Sequence, residues 1–158
     1  MGGFYGPCTR RHRPGLRSGP RGPGRRDSLG PAMSPEAFKL AREEGGLVLL
    51  TLDRPERLNA LTFEAYRQLA DWFAAEQKRD ETRAVILTGA GKAFCSGGDV
   101  HEIIGALRGA GMKRTYEFAR MTGELVENIR RFDRPVIAAV NGTCVGAGAV
   151  IALASDFR

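Results

Sequence analysis

The sequence is poor in the residues that build metal centres, disulfide frameworks and membrane spans. Its 158 residues include three cysteines, two histidines and one tryptophan. Cys8, Cys95 and Cys144 have neither metal-ligand nor disulfide spacing, so we expect no metal site and a reducing, cytoplasmic setting. No apolar run approaches the roughly 20 residues that a helix needs to cross a bilayer, so we expect no membrane span.

All of the excess positive charge lies in one segment of the chain. The formal net charge is +6, and residues 1–31 alone hold seven arginines against one acid, Asp27. The other residues carry 17 basic and 17 acidic side chains, so they give no electrostatic reason to bind nucleic acid. The hydrophobic content of 42% and the charged content of 27% are typical of one modest globular domain.

Residues 1–33 are rich in Arg, Gly and Pro and poor in aliphatic side chains. They cannot bury enough apolar surface to order themselves, so we expect a disordered extension before a domain over residues 34–158. Three interpretations remain: an arm that binds RNA or a membrane surface, an organelle transit peptide, or an upstream extension read in frame. Pro and Gly spoil the amphipathic helix that a transit peptide uses. We favour the third, with Met33 as the start, because the sequence from Ser34 onward resembles an ordinary domain beginning.

The segment Phe94–Asp99 predicts a glycine corner between a strand and a helix. The apolar run Ala84–Thr88 precedes it, and the next helix is indicated by apolar residues at i, i+3, i+4 and i+7, namely Val100, Ile103, Ile104 and Leu107. Asp99 can cap that helix, with Glu102 completing a capping box. Gly97 and Gly98 would then present free N–H groups beside a helix N-terminus, which suits an anionic oxygen. A simple turn explains the same residues.

A second strand, turn and helix of this kind follows. Val136–Val140 predicts a buried strand, Asn141–Gly148 a glycine-rich turn, and Ala149–Ala154 a buried helix. The two corners could meet around one ligand, each contributing a backbone N–H. Paired backbone donors are the simplest oxyanion hole for a thioester or enolate oxygen.

The rest of the chain predicts alternating strands and helices. The run Leu47–Leu52, which follows a turn at Gly45–Gly46, predicts a buried strand. Thr62 is predicted to cap a helix that carries Trp72 on the side opposite its apolar face. That helix has one face formed by Phe63, Tyr66, Leu69, Ala70, Phe73 and Ala74. A flexible break at Gly105–Gly111 precedes a longer helix with a face formed by Phe118, Met121, Leu125, Ile129 and Phe132. This order predicts an α/β or mixed α+β fold.

Several motifs, in this order and spacing, resemble those of the enoyl-CoA hydratase/isomerase (crotonase) superfamily. They are Leu52–Pro55 with Asn59–Leu61, Ala84–Gly89, Lys92–Asp99, Arg134–Gly142 and Ala154–Asp156. The resemblance runs from about Gly46 to Arg158. It implies a spiral of ββα turns, of which this chain would be the N-terminal half, incomplete at the C-terminus.

The resemblance also implies a role for individual residues. Gly98 and Ala147 would be the two backbone donors of an oxyanion hole for an acyl-CoA thioester. The groove for coenzyme A would be lined by Arg57, Leu58, Ala60, Lys92, Ala93, Phe94 and His101. Coenzyme A is part of the substrate, so no separate cofactor is implied, and the family commonly forms homotrimers or hexamers.

Val150 occupies the place where hydratases of the family carry a catalytic glutamate. Hydration needs a base to activate water and an acid to protonate carbon, and valine can be neither. We therefore do not expect full hydratase activity from these residues. An acyl-CoA lyase or isomerase of fatty acid metabolism, a thioester hydrolase, a decarboxylase or a dehalogenase remains possible for a complete version.

Three other functions compete with that interpretation. A nucleotide-binding loop at Gly89–Lys92 is rejected, because Ile86 and Ala93 stand where the phosphate-loop pattern needs glycine and Ser or Thr. A non-catalytic, truncated crotonase-like protein is favoured by Val150. RNA binding through the basic extension is the third alternative.

Any RNA binding by this chain is expected to depend on the arginines of residues 1–31. Binding to a single-stranded RNA should fall steeply between about 50 and 200 mM salt, because each phosphate contact releases counterions. Deletion of residues 1–31 should abolish it, as measured by fluorescence anisotropy. RNA binding that persists in the shortened chain would contradict this assignment to the extension.

Overall fold

The fold is built from six strands and four α-helices in residues 37–158, the part of the chain that the computed structural model describes. The expected extension over residues 1–33 lies outside these residues. In chain order the strands are β1 (Phe38–Glu43), β2 (Leu47–Leu52), β3 (Ala84–Gly89), β4 (Ala93–Cys95), β5 (Val136–Ala138) and β6 (Thr143–Cys144). The helices are α1 (Phe63–Glu76), α2 (Gly105–Leu107), α3 (Gly111–Arg130) and α4 (Ala147–Ala154).

Short helical turns complete the chain path. Turns of 3-10 helix occupy Glu44–Gly46 and Pro55–Arg57, and a π-helical turn, Val100–Ile104, leads directly into α2. The main sheet has the order β1-β2-β3-β5, in which β1 is antiparallel to β2 and the other pairs are parallel. A second, small sheet pairs β4 with β6 in parallel. The mixed α/β class predicted from the sequence is confirmed.

The core lies between the main sheet and the pair of helices α1 and α3. Alternate side chains of β2 are buried, namely Val48, Leu50 and Leu52, and the residues between them are half-buried. The predicted faces of both helices are confirmed at Leu69, Phe73, Leu125 and Ile129, which are all buried. Because one sheet face receives both helices, this packing fixes where each strand ends and each corner begins.

Some sequence expectations were wrong in detail. Val100 is 65% exposed, because the chain enters a π-helical turn and does not keep the spacing of an α-helix. Ala74 is exposed, and Ala65 lies on the buried face of α1. Strand β5 ends at Ala138, two residues before the predicted end, and Val140 is 45% exposed.

Three strands were not expected from the sequence. Burial does not alternate along strand β1. Phe38 is its one buried residue, and most of its exposed side chains are charged. Trp72 packs edge-on against the Phe38 ring, with the ring centroids 6.4 Å apart. The far side of α1 therefore contacts strand β1. Strands β4 and β6 have three and two residues. Such short strands carry no readable periodicity.

None of the helices in residues 37–158 has both the length and the apolar character required to cross a membrane. The predicted cap of α1 is confirmed, since the Thr62 hydroxyl accepts a hydrogen bond of 3.0 Å from the Ala65 N–H. That helix also ends on a buried acid. The Glu76 carboxylate accepts two hydrogen bonds of 2.8 Å from the Arg42 guanidinium of β1, and it accepts a third from the Thr82 hydroxyl.

Replacing Glu76 by glutamine should destabilise the fold by about 2 kcal/mol, because the partly buried guanidinium loses its charged partner. Burial raises the pKa of Glu76, but the bonds from Arg42 and Thr82 outweigh burial and hold that pKa below its usual value. The carboxylate therefore stabilises the fold above its unfolded pKa of about 4.3, and this stabilisation is lost as the pH falls through the lower folded value.

Urea unfolding of the wild type and of Glu76→Gln measures this difference. The two proteins should differ at pH 7 and converge as the solution is acidified. Glu64→Gln is the matched control, since Glu64 lies on the same helix in an exposed pair with Arg67 and should change stability by less than about 0.5 kcal/mol. Equal effects of the two substitutions at pH 7 would contradict a special role for the buried carboxylate.

Candidate functional site

Asn59 organises the loop that precedes the first corner. Its side chain is buried, and its backbone has a φ of 56°, in the left-handed region. The carboxamide oxygen accepts a 2.9 Å hydrogen bond from the Arg54 N–H, and the carboxamide nitrogen donates to the carbonyls of Ala90 and Ala93 at 2.9 and 2.7 Å. One side chain therefore joins the loop after β2 to the turn between β3 and β4.

The first corner is held against that loop by main-chain hydrogen bonds. The Leu61 N–H donates to the Gly97 carbonyl at 2.8 Å, and the Asp99 N–H donates to the Leu61 carbonyl at 2.8 Å. In an extended chain, successive residues direct their N–H groups to opposite sides. The N–H of Gly98 therefore points away from the loop and toward the other side of the corner.

Asp99 caps the helical turn that follows the corner, as predicted. Its carboxylate accepts hydrogen bonds from the N–H groups of His101 at 3.1 Å and Glu102 at 3.2 Å, and lies 3.3 Å from the Arg54 guanidinium. The hydrogen bond from Glu102, supported by Arg54, holds the pKa of Asp99 below its usual range. The Glu102 side chain does not complete a capping box, because it accepts from the Phe63 N–H of α1 at 3.2 Å.

The second corner packs directly against the first. The Val145 N–H donates to the Cys95 carbonyl at 3.1 Å. A Cβ atom at Gly97 would lie 3.6 Å from the Ala147 nitrogen, and one at Gly148 would lie only 2.3 Å from the Cys95 carbonyl oxygen. The two corners therefore meet main chain to main chain, as the sequence suggested, and the absence of side chains makes that approach possible.

Two N–H groups remain free where the corners meet. Neither the Gly98 N–H nor the Ala147 N–H donates a hydrogen bond to any residue in 37–158. Ala147 is the first residue of α4, so its N–H has no partner within the helix and lies at the positive end of the helix dipole. Gly98 and Ala147 are both half-buried, and so the two donors are accessible to a ligand atom.

An apolar groove of about 430 Å³ has Ala147 in its wall. It runs between α3 and α4 and reaches α1, and its walls include Tyr66, Phe118, Leu125, Val126, Ala147, Val150 and Ile151. Val150 is 47% exposed within it. Among the described residues that line the groove there is no carboxylate, imidazole or thiol, so the phenol of Tyr66 is its one titratable group.

Burial disfavours the reactive thiolate form of the two cysteines near the corners. Cys95 is fully buried, and burial raises the pKa of its thiol to about 11. Burial also raises the pKa of the half-buried Cys144 thiol. Because the thiolate is the reactive form, both side chains are packing groups at neutral pH. In the described part of the chain, no three His, Cys, Asp or Glu side chains cluster as a metal site would require.

The residues expected to contact coenzyme A divide into exposed and buried groups. Arg57, Lys92 and His101 are exposed, and none of the three forms an ion pair with another residue in 37–158. Leu58 is half-buried and adopts a left-handed φ of 50°. Ala60, Ala93 and Phe94 are buried, so a contribution from these three would come mainly through their backbone atoms.

Sequence reasoning placed Tyr66 in the core and did not recognise it as a groove residue. The residue is only 6% exposed, yet it lines the groove, and its hydroxyl donates to no residue in 37–158. A buried phenol usually has a hydrogen-bond partner, so a tyrosine on an apolar helix face could have indicated a residue that lines a groove. Periodicity alone cannot distinguish a core residue from one that lines a groove.

Known proteins are similar to this chain in sequence. The sequence profile of the enoyl-CoA hydratase/isomerase family matches residues 42–158. The chain is 39% identical over 119 residues to the 1,2-epoxyphenylacetyl-CoA isomerase of Escherichia coli (strain K12), covering 75% of this chain and 45% of that protein. It is 40% identical over 115 residues to the mevalonyl-coenzyme A hydratase of Beauveria bassiana (strain ARSEF 2860), covering 70% and 41%.

A solved structure agrees with the sequence relatives. A protein of Streptomyces coelicolor A3(2), provisionally assigned as an enoyl-CoA hydratase, superposes with a TM-score of 0.77 at 47% sequence identity. The match covers 84% of this chain and 48% of that one. The chain thus spans less than half the length of each of these relatives.

The contact between the corners predicts opposite effects for two glycine-to-alanine substitutions in helices. Gly148→Ala should destabilise the fold by about 2 kcal/mol, because the new Cβ overlaps the Cys95 carbonyl and the corners must separate. Gly123→Ala in α3 is the control, because a Cβ there meets nothing within 4 Å and should stabilise by up to about 1 kcal/mol. Thermal melts measure both. A Gly148→Ala chain as stable as wild type would rule out the proposed tight contact.

Proposed function

Since the chain belongs to the enoyl-CoA hydratase/isomerase family, we propose that it binds an acyl-CoA and stabilises the thioester enolate through the N–H groups of Gly98 and Ala147. The observation that carries this proposal is that the two corners are in contact while both of these N–H groups lack a partner in residues 37–158. Preorganised donors of this kind stabilise developing negative charge on an oxygen, and each typically contributes about 3–4 kcal/mol.

The helix that begins at Ala147 adds to the same effect. Its N-terminus directs a partial positive charge at the donor site, where no described acidic side chain lines the groove to oppose it. The methyl group of Ala147 leaves the N–H in place. An enolate oxygen would therefore meet two fixed dipoles and one helix end, none of which depends on pH.

The acyl group is proposed to lie in the apolar groove. The groove is continuous with Ala147 and is lined by aliphatic and aromatic side chains of α3 and α4. Burial of an acyl chain against such walls contributes about 0.8 kcal/mol per methylene group. The coenzyme A portion would extend past Arg57, Lys92 and His101, whose exposed positions suit contacts with phosphate.

The relatives of this chain are named for different reactions. Relatives of this chain include proteins named as an isomerase, a hydratase and a 3-hydroxyisobutyryl-CoA hydrolase, which have coenzyme A thioesters in common. Val150 lines the groove where a hydratase would need a carboxylate. We therefore propose acyl-CoA binding and enolate stabilisation, without hydration by the residues of this chain. A non-catalytic acyl-CoA-binding protein is the alternative that Val150 favours.

Ala147→Pro tests the oxyanion hole with little disturbance of the fold. Proline is well tolerated at the first position of a helix, and Ala147 occupies that position with an N–H that bonds to no described residue. The substitution removes one donor, so affinity for an enolate-like nitronate thioether of coenzyme A should fall about 100-fold. Isothermal titration calorimetry on the full chain measures this loss.

Ala147→Gly is the matched control, since it changes the same side chain but retains the N–H. It should bind the nitronate within about twofold of wild type. Thermal melts without ligand establish that both variants are folded. Equal nitronate affinity in the proline and glycine variants would exclude Ala147 as a donor. Failure of the wild-type chain to bind either the nitronate or acetyl-CoA would exclude the proposed function.

A further inference from the structure

Tyr66 lies beside the free donor of the first corner. A Cβ atom at Gly98 would lie 3.6 Å from the Tyr66 hydroxyl oxygen. The same tyrosine lines the apolar groove together with Ala147, which carries the second free N–H. The phenol therefore lies beside Gly98 and also faces the space proposed for the acyl chain.

The hydroxyl of Tyr66 has no partner in the described part of the chain, although its side chain is more than nine-tenths buried. The residue is 6% exposed, and its hydroxyl is absent from every hydrogen bond among residues 37–158. Its ring is held in place by an edge contact with Phe118 of α3, at a centroid separation of 5.8 Å. The hydroxyl oxygen itself is not fully enclosed, because it faces the groove, where a ligand oxygen can replace water as its partner.

The phenol also keeps its proton. Burial raises the pKa of Tyr66 to about 12, so the hydroxyl is a neutral hydrogen-bond donor throughout the physiological range. The other hydroxyl in the groove, that of Thr122, already donates to the Ala119 carbonyl of its own helix at 2.9 Å. Tyr66 is therefore the one side chain of the described groove whose polar group is free to contact a ligand.

We propose that the Tyr66 hydroxyl donates a hydrogen bond to an oxygen on carbon 2 or 3 of the acyl group, and so selects oxygenated acyl-CoA substrates over plain hydrocarbon ones. This inference rests on the proposed function, because it places the thioester oxygen at Gly98 and Ala147. A hydroxyl beside Gly98 is close to the first carbons after the thioester and far from the end of a long chain. An acyl chain without an oxygen at these carbons would displace water from the phenol and give no hydrogen bond in return.

Tyr66→Phe is the direct test, since it removes one oxygen and keeps the ring. Affinities of the full chain for butyryl-CoA, 2-hydroxybutyryl-CoA and 3-hydroxybutyryl-CoA are measured by calorimetry. The wild type should prefer at least one hydroxyacyl-CoA over butyryl-CoA by about tenfold, the value of one hydrogen bond to a buried donor. In Tyr66→Phe that preference should fall to about onefold, because the affinity for the hydroxyacyl-CoA falls more than the affinity for butyryl-CoA.

Tyr116→Phe is the matched control, because Tyr116 lies on α3 with 66% of its surface exposed and does not line the groove. It should preserve the wild-type preference. Thermal melts provide a second readout: removal of an unpaired hydroxyl should leave the melting temperature of Tyr66→Phe equal to or above that of wild type. A clear drop would show that the hydroxyl has a structural partner, which would overturn the inference.

Two binding results would overturn the inference while leaving the proposed function intact. One is an unchanged preference in Tyr66→Phe, with every acyl-CoA still bound. The other is an equal loss of affinity for all three thioesters, which would place the hydroxyl on the thioester oxygen. If the wild type binds no acyl-CoA at all, the proposed function and the inference both fail.

Discussion

The main-chain contact between the two glycine corners is the constraint on which the rest of the structure depends. Cys95 and Gly148 approach so closely that an added Cβ would lie 2.3 Å from a carbonyl oxygen. The small β4-β6 sheet and the bond from Val145 to Cys95 hold the corners together. Both free donors lie on this contact, so the geometry of the site follows from backbone packing. Side chains contribute to it by supporting the corners from outside.

That support comes from polar side chains that hydrogen-bond to the loops, of which Asn59 and Asp99 are buried, Arg54 is half-buried and Asn141 is exposed. Asn59 joins the loop after β2 to the turn after β3, and Asn141 joins the same turn to the end of β5 through bonds to Gly89 and Gly91. Arg54 donates to the Ala60 carbonyl and pairs with Asp99. Each net bond contributes about 1 kcal/mol, but a buried partner left unpaired would cost more. The network therefore mainly fixes the positions of the corners, and its contribution to the stability of the fold is smaller.

Periodicity and capping rules predicted the parts of this structure that have many residues per element. Helices α1, α3 and α4 and strands β2 and β3 follow from apolar spacing, and the Thr62 and Asp99 caps follow from residue type and position. The contact of the corners was suggested by two glycine turns after apolar strands. What could not be predicted depends on tertiary partners. The short strands β4 and β6 exist because they pair with each other, and Glu102 bonds to Phe63, which is distant in sequence.

The free donors of the site are backbone groups, whereas proton transfer needs side chains, and the two respond differently to substitution. Ordinary substitutions preserve a main-chain N–H, so the donors proposed for an oxyanion would survive changes at Ala147 and its neighbours. Groups that transfer protons are side chains, so a single substitution can remove them. Val150, for example, places in the groove an aliphatic side chain that cannot transfer a proton. A scaffold with a permanent anion site and replaceable side chains can support several reactions on one class of thioester. In this chain, the phenol of Tyr66 is the groove side chain proposed to distinguish one acyl group from another.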